Sequence, residues 1–279
     1  MILLADSGGS KTDWRLYQGK KLLLAFRTRG YNPMFHNVDA IYNDFKPVIE
    51  EAGFADSLKE LYFYGAGCST DERAEIVNQA MRKIFPKAKI FIHHDMLGAG
   101  IAAWGAGEGL VGILGTGSNC CFYAQGEIKA SSPSWGFLFG DEGGGADLGK
   151  HLFQDYFKEN LPLDLKEALE VHFQKDKNQF LDEVYQSSAP NKVLASIAPF
   201  IAKYADHPYV NSLLKSRFQA YLDSFVKLYP QHKTHGLKMI GSIAKYFYVQ
   251  LKEVCQENGV DLKEVVDQPI EGISKYHCA

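Results

Sequence analysis

The feature that most constrains this chain is a pattern that occurs twice. Residues 2–5 form a short apolar run that passes directly into Asp6-Ser7-Gly8-Gly9-Ser10. Two further strand-like runs follow, 13–17 and 21–27, joined by a turn at Gln18-Gly19. Residues 110–114 then begin the pattern again, running into Gly115-Thr116-Gly117-Ser118 and on to 119–124 and 127–130. Strand, hydroxyl-bearing small-residue turn, strand, turn, strand at the head of each half predicts two related α/β lobes rather than one. At 279 residues the chain is long for a single core and comfortable for two. The boundary is expected where Gly105, Gly107 and Gly109 cluster, giving lobes of 1–107 and 108–279.

The segments between the repeats fit an α/β alternation. Residues 37–52 carry Val38, Ile41, Phe45, Val48 and Ile49 at helical spacing and stop before Gly53. A strand at 61–64, a helix at 71–85 opened by Asp71 and Glu72, and a strand at 89–93 follow, with Asp95 just beyond that strand. Residues 96–104 are small and apolar, suited to a helix lying close on a sheet, and 144–228 read as mostly helical. A strand at 237–240 leads through Gly241-Ser242 into a helix over 243–257, and 271–277 is expected as a last helix, free to pack back on the first lobe.

Composition excludes several function classes. The net charge of −3 and scattered basic residues argue against a nucleic-acid partner, which draws on excess Lys and Arg. No apolar run approaches the ~20 residues of a membrane helix. The N-terminus has no basic leader and meets Asp6 too early for a secretory signal. Five cysteines (Cys68, Cys120, Cys121, Cys255, Cys278) without C-x-x-C spacing suit free thiols in a reducing cytoplasm. The expectation is a cytoplasmic enzyme with no membrane partner.

The turns carry the first chemical signal. In Asp6-Ser7-Gly8-Gly9-Ser10-Lys11-Thr12, adjacent glycines let backbone N–H groups approach an anion, Ser10 and Thr12 offer hydroxyls, and Lys11 a charge. Asp6 would repel phosphate alone but makes sense holding Mg²⁺, directly or through water. One such turn could be a flexible hairpin; the second, at Gly115-Thr116-Gly117, suggests that a polyphosphate is bound. Neither is a P-loop or a dinucleotide fingerprint. Gly241-Ser242, third in order, is where adenosine could lie against backbone.

Carboxylates carry the second signal. Asp95 lies beyond the carboxyl end of a strand, where ligands of open α/β sheets bind, although on position alone an N-cap of helix 96–104 explains it better, and both can hold. In Gly140-Asp141-Glu142-Gly143-Gly144-Gly145, two acids sit inside a glycine run after Trp135-Gly136-Phe137-Leu138-Phe139. Asp141 could accept hydrogen bonds from sugar hydroxyls, Glu142 could cap the following helix, and Trp135 could stack on a sugar or enter the core.

The set Asp6 to Thr12, Asp95, Gly115-Thr116-Gly117-Ser118-Asn119-Cys120, Trp135-Gly136 and Gly140-Asp141-Glu142-Gly143 resembles the N-acetylglucosamine kinase family, related to the dehydratase-activator and benzoyl-CoA reductase type ATPases. The resemblance implies two actin-like (ribonuclease H-like) lobes, each a mixed sheet flanked by helices, with the active site in the interlobe cleft. It implies ATP and Mg²⁺, and γ-phosphoryl transfer to a hydroxyl, O6 above others, of N-acetylglucosamine or a close analogue. N-acetylmuramic acid, glucosamine, or an activator-type ATPase role without sugar remain alternatives. Asp95 resembles the catalytic base and Asp6 the metal-positioning acid. Gly8, Gly9, Ser10, Lys11, Thr12, Gly115, Thr116, Gly117, Gly241 and Ser242 match nucleotide contacts. Asn32 (in Gly30-Tyr31-Asn32-Pro33), Ser118, Asn119, Ser134, Trp135, Gly136 and Asp141 match sugar contacts, with Ser134 standing where the family has glycine. A homodimer is compatible with the likeness.

Overall fold

The computed structural model describes residues 1–278. The first sheet is built from β1 (Ile2–Ser7), β2 (Lys11–Gln18), β3 (Lys21–Arg29), β4 (Glu60–Gly65) and β5 (Lys89–His94), in the order β3-β2-β1-β4-β5. β1 pairs antiparallel with β2 and parallel with β4, β2 pairs antiparallel with β3, and β4 pairs parallel with β5. The central strands carry the apolar runs that burial on both faces demands: Leu3, Leu4, Ala5, Leu61 and Phe63 are fully buried. Edge strand β3 instead alternates exposed and half-buried positions.

Helices α1 (Val38–Ala52), α2 (Asp71–Ile84) and α3 (Asp95–Trp104) cover this sheet. The Asn37 side chain caps α1 by accepting the Ala40 N–H at 2.9 Å, and α1 ends at Gly53, whose φ of 71° a side chain would disfavour. Trp14 stacks on Phe45 at 4.4 Å and on Phe26 at 5.8 Å, giving this core an aromatic centre.

The second sheet comprises β6 (Glu108–Leu114), β7 (Ser118–Ala124), β8 (Glu127–Ser131), β9 (Leu237–Ile240) and β10 (Leu262–Val266), in the order β10-β9-β6-β7-β8. Both sheets therefore have one plan: the third, second, first, fourth and fifth strands of each half lie side by side. Between β8 and β9 come α4 (Gly136–Phe139), α5 (Gly145–Phe157), α6 (Leu163–Phe173), α7 (Lys177–Gln186), α8 (Pro190–Ala195), α9 (Ala198–Lys203) and α10 (Pro208–Ser224). Then α11 (Ser242–Tyr246) and α12 (Tyr248–Glu257) precede β10, and α13 (Pro269–Cys278) follows it. The core here gathers Leu110, Leu114, Leu148, Leu152, Ile197, Phe218 and Met239.

The chain forms two compact units. One holds residues 1–108 with 123–128 and the segment from Gln268 onward; the other holds 109–122 and 129–267. Within the first unit, α13 lies so close to α3 that a Cβ on Gly272 would meet the Ala102 carbonyl at 2.4 Å. Arg15 donates to Glu271 at 2.8 Å, and Tyr64 Oη lies 2.8 Å from His277 Nε2.

One local expectation needs correction, and two further elements have no counterpart among the expectations. The helix expected over 243–257 is two helices, because Phe247 leaves the helical path to enter the core, fully buried at the joint. β10 is a strand that charged Lys263 and Glu264 obscure in the sequence. Residues 136–139 form a short helix with Leu138 and Phe139 exposed.

Candidate active site

The carboxyl ends of β1 and β5 deliver Asp6 and Asp95 within the first unit. Asp95 is the first residue of α3 and accepts its neighbour's N–H, from Met96, at 2.9 Å; the cap position belongs to His94. Burial raises the pKa of Asp95, partly offset by His94 and the Met96 N–H. Asp6 is pushed up to about 7 by burial, then by the negative charges of Asp13 and Asp95, with Lys11 offsetting in part. Asp13 faces Asp6 across the β1–β2 ladder. Burial opposes its ionisation too, but hydrogen bonds from Arg27 and Lys11 outweigh that and hold it below the usual carboxylate range.

The turn after β1 is closed by the Gly8 N–H donating to the Lys11 carbonyl at 2.9 Å. Gly8, Gly9, Ser10 and Lys11 are exposed, and the Lys11 ammonium lies 3.0 Å from Asp13 Oδ2. Thr12 takes a structural part instead. Its side chain is buried, and its hydroxyl donates to the Arg29 carbonyl at 3.0 Å beside Ser7 Oγ at 2.8 Å, which withdraws it from phosphate. Gly30 braces the turn: a Cβ there would lie 2.2 Å from the Gly8 carbonyl oxygen. Asn32 is buried against Gly67, and its Oδ1 accepts the Met34 N–H at 2.9 Å.

The second unit carries Gly115, Thr116 and Gly117 between β6 and β7. The carbonyls of Gly115 and Thr116 accept the first N–H groups of α5, from Gly145 at 2.8 Å and Ala146 at 2.9 Å. This satisfies two of the helix's orphan donors and locks the turn to it. Asp141 stands beside this turn with φ of 64°, uncommon for a residue with a side chain. Its Oδ1 accepts the Ser118 N–H at 3.2 Å, and burial raises its pKa. Ser118 Oγ is buried without any hydrogen-bond partner, a state that a native protein seldom leaves uncompensated. Asn119 turns its Oδ1 onto the Cys120 N–H at 2.8 Å. Ser134 and Trp135 are exposed, Trp135 at 67%, so the tryptophan is no core residue; Gly136 has φ of 68°. Gly241, with φ of 115°, approaches so near β6 that a Cβ would lie 2.1 Å from the Leu114 carbonyl oxygen. Ser242 opens α11 and is exposed.

No family model matches the chain. An N-acetylmuramic acid/N-acetylglucosamine kinase of Clostridium acetobutylicum is 28% identical over 218 residues, 70% of this chain and 68% of that protein. A solved structure from Porphyromonas gingivalis, provisionally named an N-acetylglucosamine kinase, is 36% identical, with a TM-score of 0.94 over 100% of this chain and 99% of that one. The chain belongs to the N-acetylglucosamine kinase family. A second provisionally named N-acetylglucosamine kinase, from Chromobacterium violaceum, shares the fold at 17% identity, with a TM-score of 0.78 over 99% and 98% of the two chains. The fold is the actin-like ATPase fold, and the protein is an ATP-dependent sugar kinase.

Two residues of this kinase escaped the sequence reading. Asp13 sits within a strand, where an acid beside buried Thr12 and Trp14 was the available signal. Asp147, in the first turn of α5, is 3% exposed and accepts from the Gly143 N–H at 2.9 Å and from Arg217 Nε at 2.7 Å. An acid two residues beyond a glycine run, in the first turn of a helix, was its signal.

The donor set suits Mg²⁺ better than a caged metal. Among the described residues no group of three or more His, Cys, Asp and Glu could hold an ion. Asp6 instead stands among carboxylates whose charges Lys11 only partly balances. Mg²⁺ commonly takes one or two carboxylates and completes its shell with water and substrate phosphates. No described helix is long and apolar enough to cross a membrane.

Proposed function

We propose that this kinase transfers the γ-phosphoryl group of ATP to O6 of N-acetylglucosamine or a closely related amino sugar. The observation that carries the sugar assignment is the buried, unpartnered Ser118 Oγ beside the Asp141 carboxylate. One is a hydroxyl with spare donor and acceptor capacity, the other an acceptor whose second oxygen is available, a combination that complements sugar hydroxyls. Both the curated and the solved relatives named above carry N-acetylglucosamine in their names.

In this reading the Gly8–Lys11 turn, the Gly115–Gly117 turn, Gly241 and Ser242 are assigned to the nucleotide, Asp6 to the metal, Asp95 to the reacting hydroxyl, and Asn32, Ser118, Asn119, Asp141 and the 134–136 segment to the sugar. Asp6 would hold Mg²⁺, which supplies positive charge to the transferring phosphoryl group. Asp95 accepts the proton of the sugar hydroxyl as the new O–P bond forms and the bond to the ADP oxygen breaks. Burial makes this carboxylate more basic than a surface aspartate, which favours that transfer. Phosphoryl transfer otherwise asks the protein for positioning and charge stabilisation.

Asp95→Asn tests the mechanism. It should lower kcat by roughly 10²–10⁴ while leaving both KM values within a few-fold. Near wild-type turnover would reduce Asp95 to a residue that starts a helix.

A further inference from the structure

We infer that the Asp147–Arg217 pair is a positioning device that fixes the Asp141 carboxylate for the sugar, which rests on the reading of Asp141 as a sugar contact. Asp141 is held in a left-handed conformation, with φ of 64°. Residues with side chains keep such a conformation only where the surroundings over-determine it. The turn that contains it, 141–144, is closed by the Gly144 N–H donating to the Asp141 carbonyl at 3.0 Å. The N–H inside that turn, on Gly143, donates to Asp147 Oδ2 at 2.9 Å.

Asp147 is itself fixed. Arg217 of α10 donates to it through Nε at 2.7 Å and Nη2 at 3.3 Å, His151 Nε2 lies at 3.3 Å, and Lys150 Nζ at 3.9 Å. The same face of α10 touches the turn directly. A Cβ on Gly143 would lie 3.3 Å from the Arg217 carbonyl oxygen and 3.0 Å from Tyr221 Cβ. Tyr221, one helical turn beyond Arg217, donates its hydroxyl to the Asn119 carbonyl at 3.0 Å. One helix face thereby orders both the Asp141 turn and the start of β7.

Stability alone is a weak reason for this pair, because a buried ion pair is often no more stabilising than apolar residues of its volume. A bidentate Arg–carboxylate contact does fix direction, which an apolar pair cannot do. Crowding at the other side of Asp141 makes direction matter: a Cβ on Gly117 would lie 2.7 Å from its carboxylate.

The experiment compares Asp147→Asn, Arg217→Lys, Asp141→Ala and the double variant Asp147→Asn/Asp141→Ala, with melting temperature and both KM values and kcat measured on each. Asp147→Asn should lower kcat/KM for the sugar roughly tenfold to a hundredfold, the scale of a small misplacement, with the ATP KM within about twofold. Arg217→Lys, which keeps the charge and loses the fork, should give a smaller loss of the same kind and remain folded. In the Asp141→Ala background Asp147→Asn should add little, since coupled residues are not additive. If Asp141→Ala leaves sugar kinetics intact, the reading beneath this inference fails. If Asp141→Ala harms sugar use while Asp147→Asn and Arg217→Lys only lower the melting temperature, or the two losses multiply in the double variant, the inference alone is overturned.

Discussion

Nucleotide affinity should depend on two hydroxyls that the structure leaves accessible. Ser10 is exposed on the first turn and Thr116 half-buried on the second. Ser10→Ala and Thr116→Val should each raise the ATP KM by about three- to tenfold, the net worth of one or two lost hydrogen bonds, and leave the sugar KM nearly flat. Steady-state kinetics with each substrate varied in turn checks this. A rise in sugar KM with ATP KM unchanged would mean that the turns serve the other ligand. Thr12→Val belongs to a different class, because the Thr12 hydroxyl bonds the Arg29 carbonyl inside the sheet; its effect should fall on stability. Residue identity alone could not separate these two hydroxyls. The separation comes from the exact start of β2, at Lys11, which places Thr12 within the ladder opposite Ser7.

At the scale of elements, the Gly8–Lys11 turn, proposed above to hold phosphate, depends on a neighbour outside it. Gly30 follows β3 and donates its N–H to the Ser10 carbonyl at 3.0 Å. A Cβ there would meet the Gly8 carbonyl oxygen at 2.2 Å, the Gly9 carbonyl carbon at 2.9 Å and the Ser10 nitrogen at 3.0 Å, all of them backbone. Backbone cannot rotate aside as a side chain does, so the turn must move. Gly30→Ala should cost about 1–3 kcal/mol of stability, as overpacking does, and raise the ATP KM more than the sugar KM. Calorimetry and kinetics on one preparation decide it; an unshifted ATP KM would show that the turn's shape does not matter to the nucleotide.

Elements with a clean period were legible in advance. The α1 stripe of Ile41, Phe45 and Ile49 is buried as its spacing requires, and the apolar run before each glycine turn is a central strand. What stayed hidden was decided by packing. Phe247 breaks a helix with no glycine or proline to announce it, and the partner of buried Asp147 is Arg217, seventy residues away.

For the whole molecule, the repeated strand–turn–strand unit translates into two sheets with one strand order. The units interleave in sequence more than the expected cut at 107/108 suggests. The β7–β8 turn joins the first unit, where the Gln125 N–H donates to the Gly107 carbonyl at 3.1 Å, and α13 packs on α3. Such returns of the chain depend on long-range contacts that no local pattern encodes.

The most direct test of the central claim is ADP release measured with ATP and Mg²⁺ across a panel of N-acetylglucosamine, N-acetylmuramic acid, glucosamine and glucose. ADP release should be strictly sugar-dependent, largest with N-acetylglucosamine or one of the other two amino sugars and weak with glucose. ADP release that proceeds equally without sugar, or that glucose supports best, would contradict it.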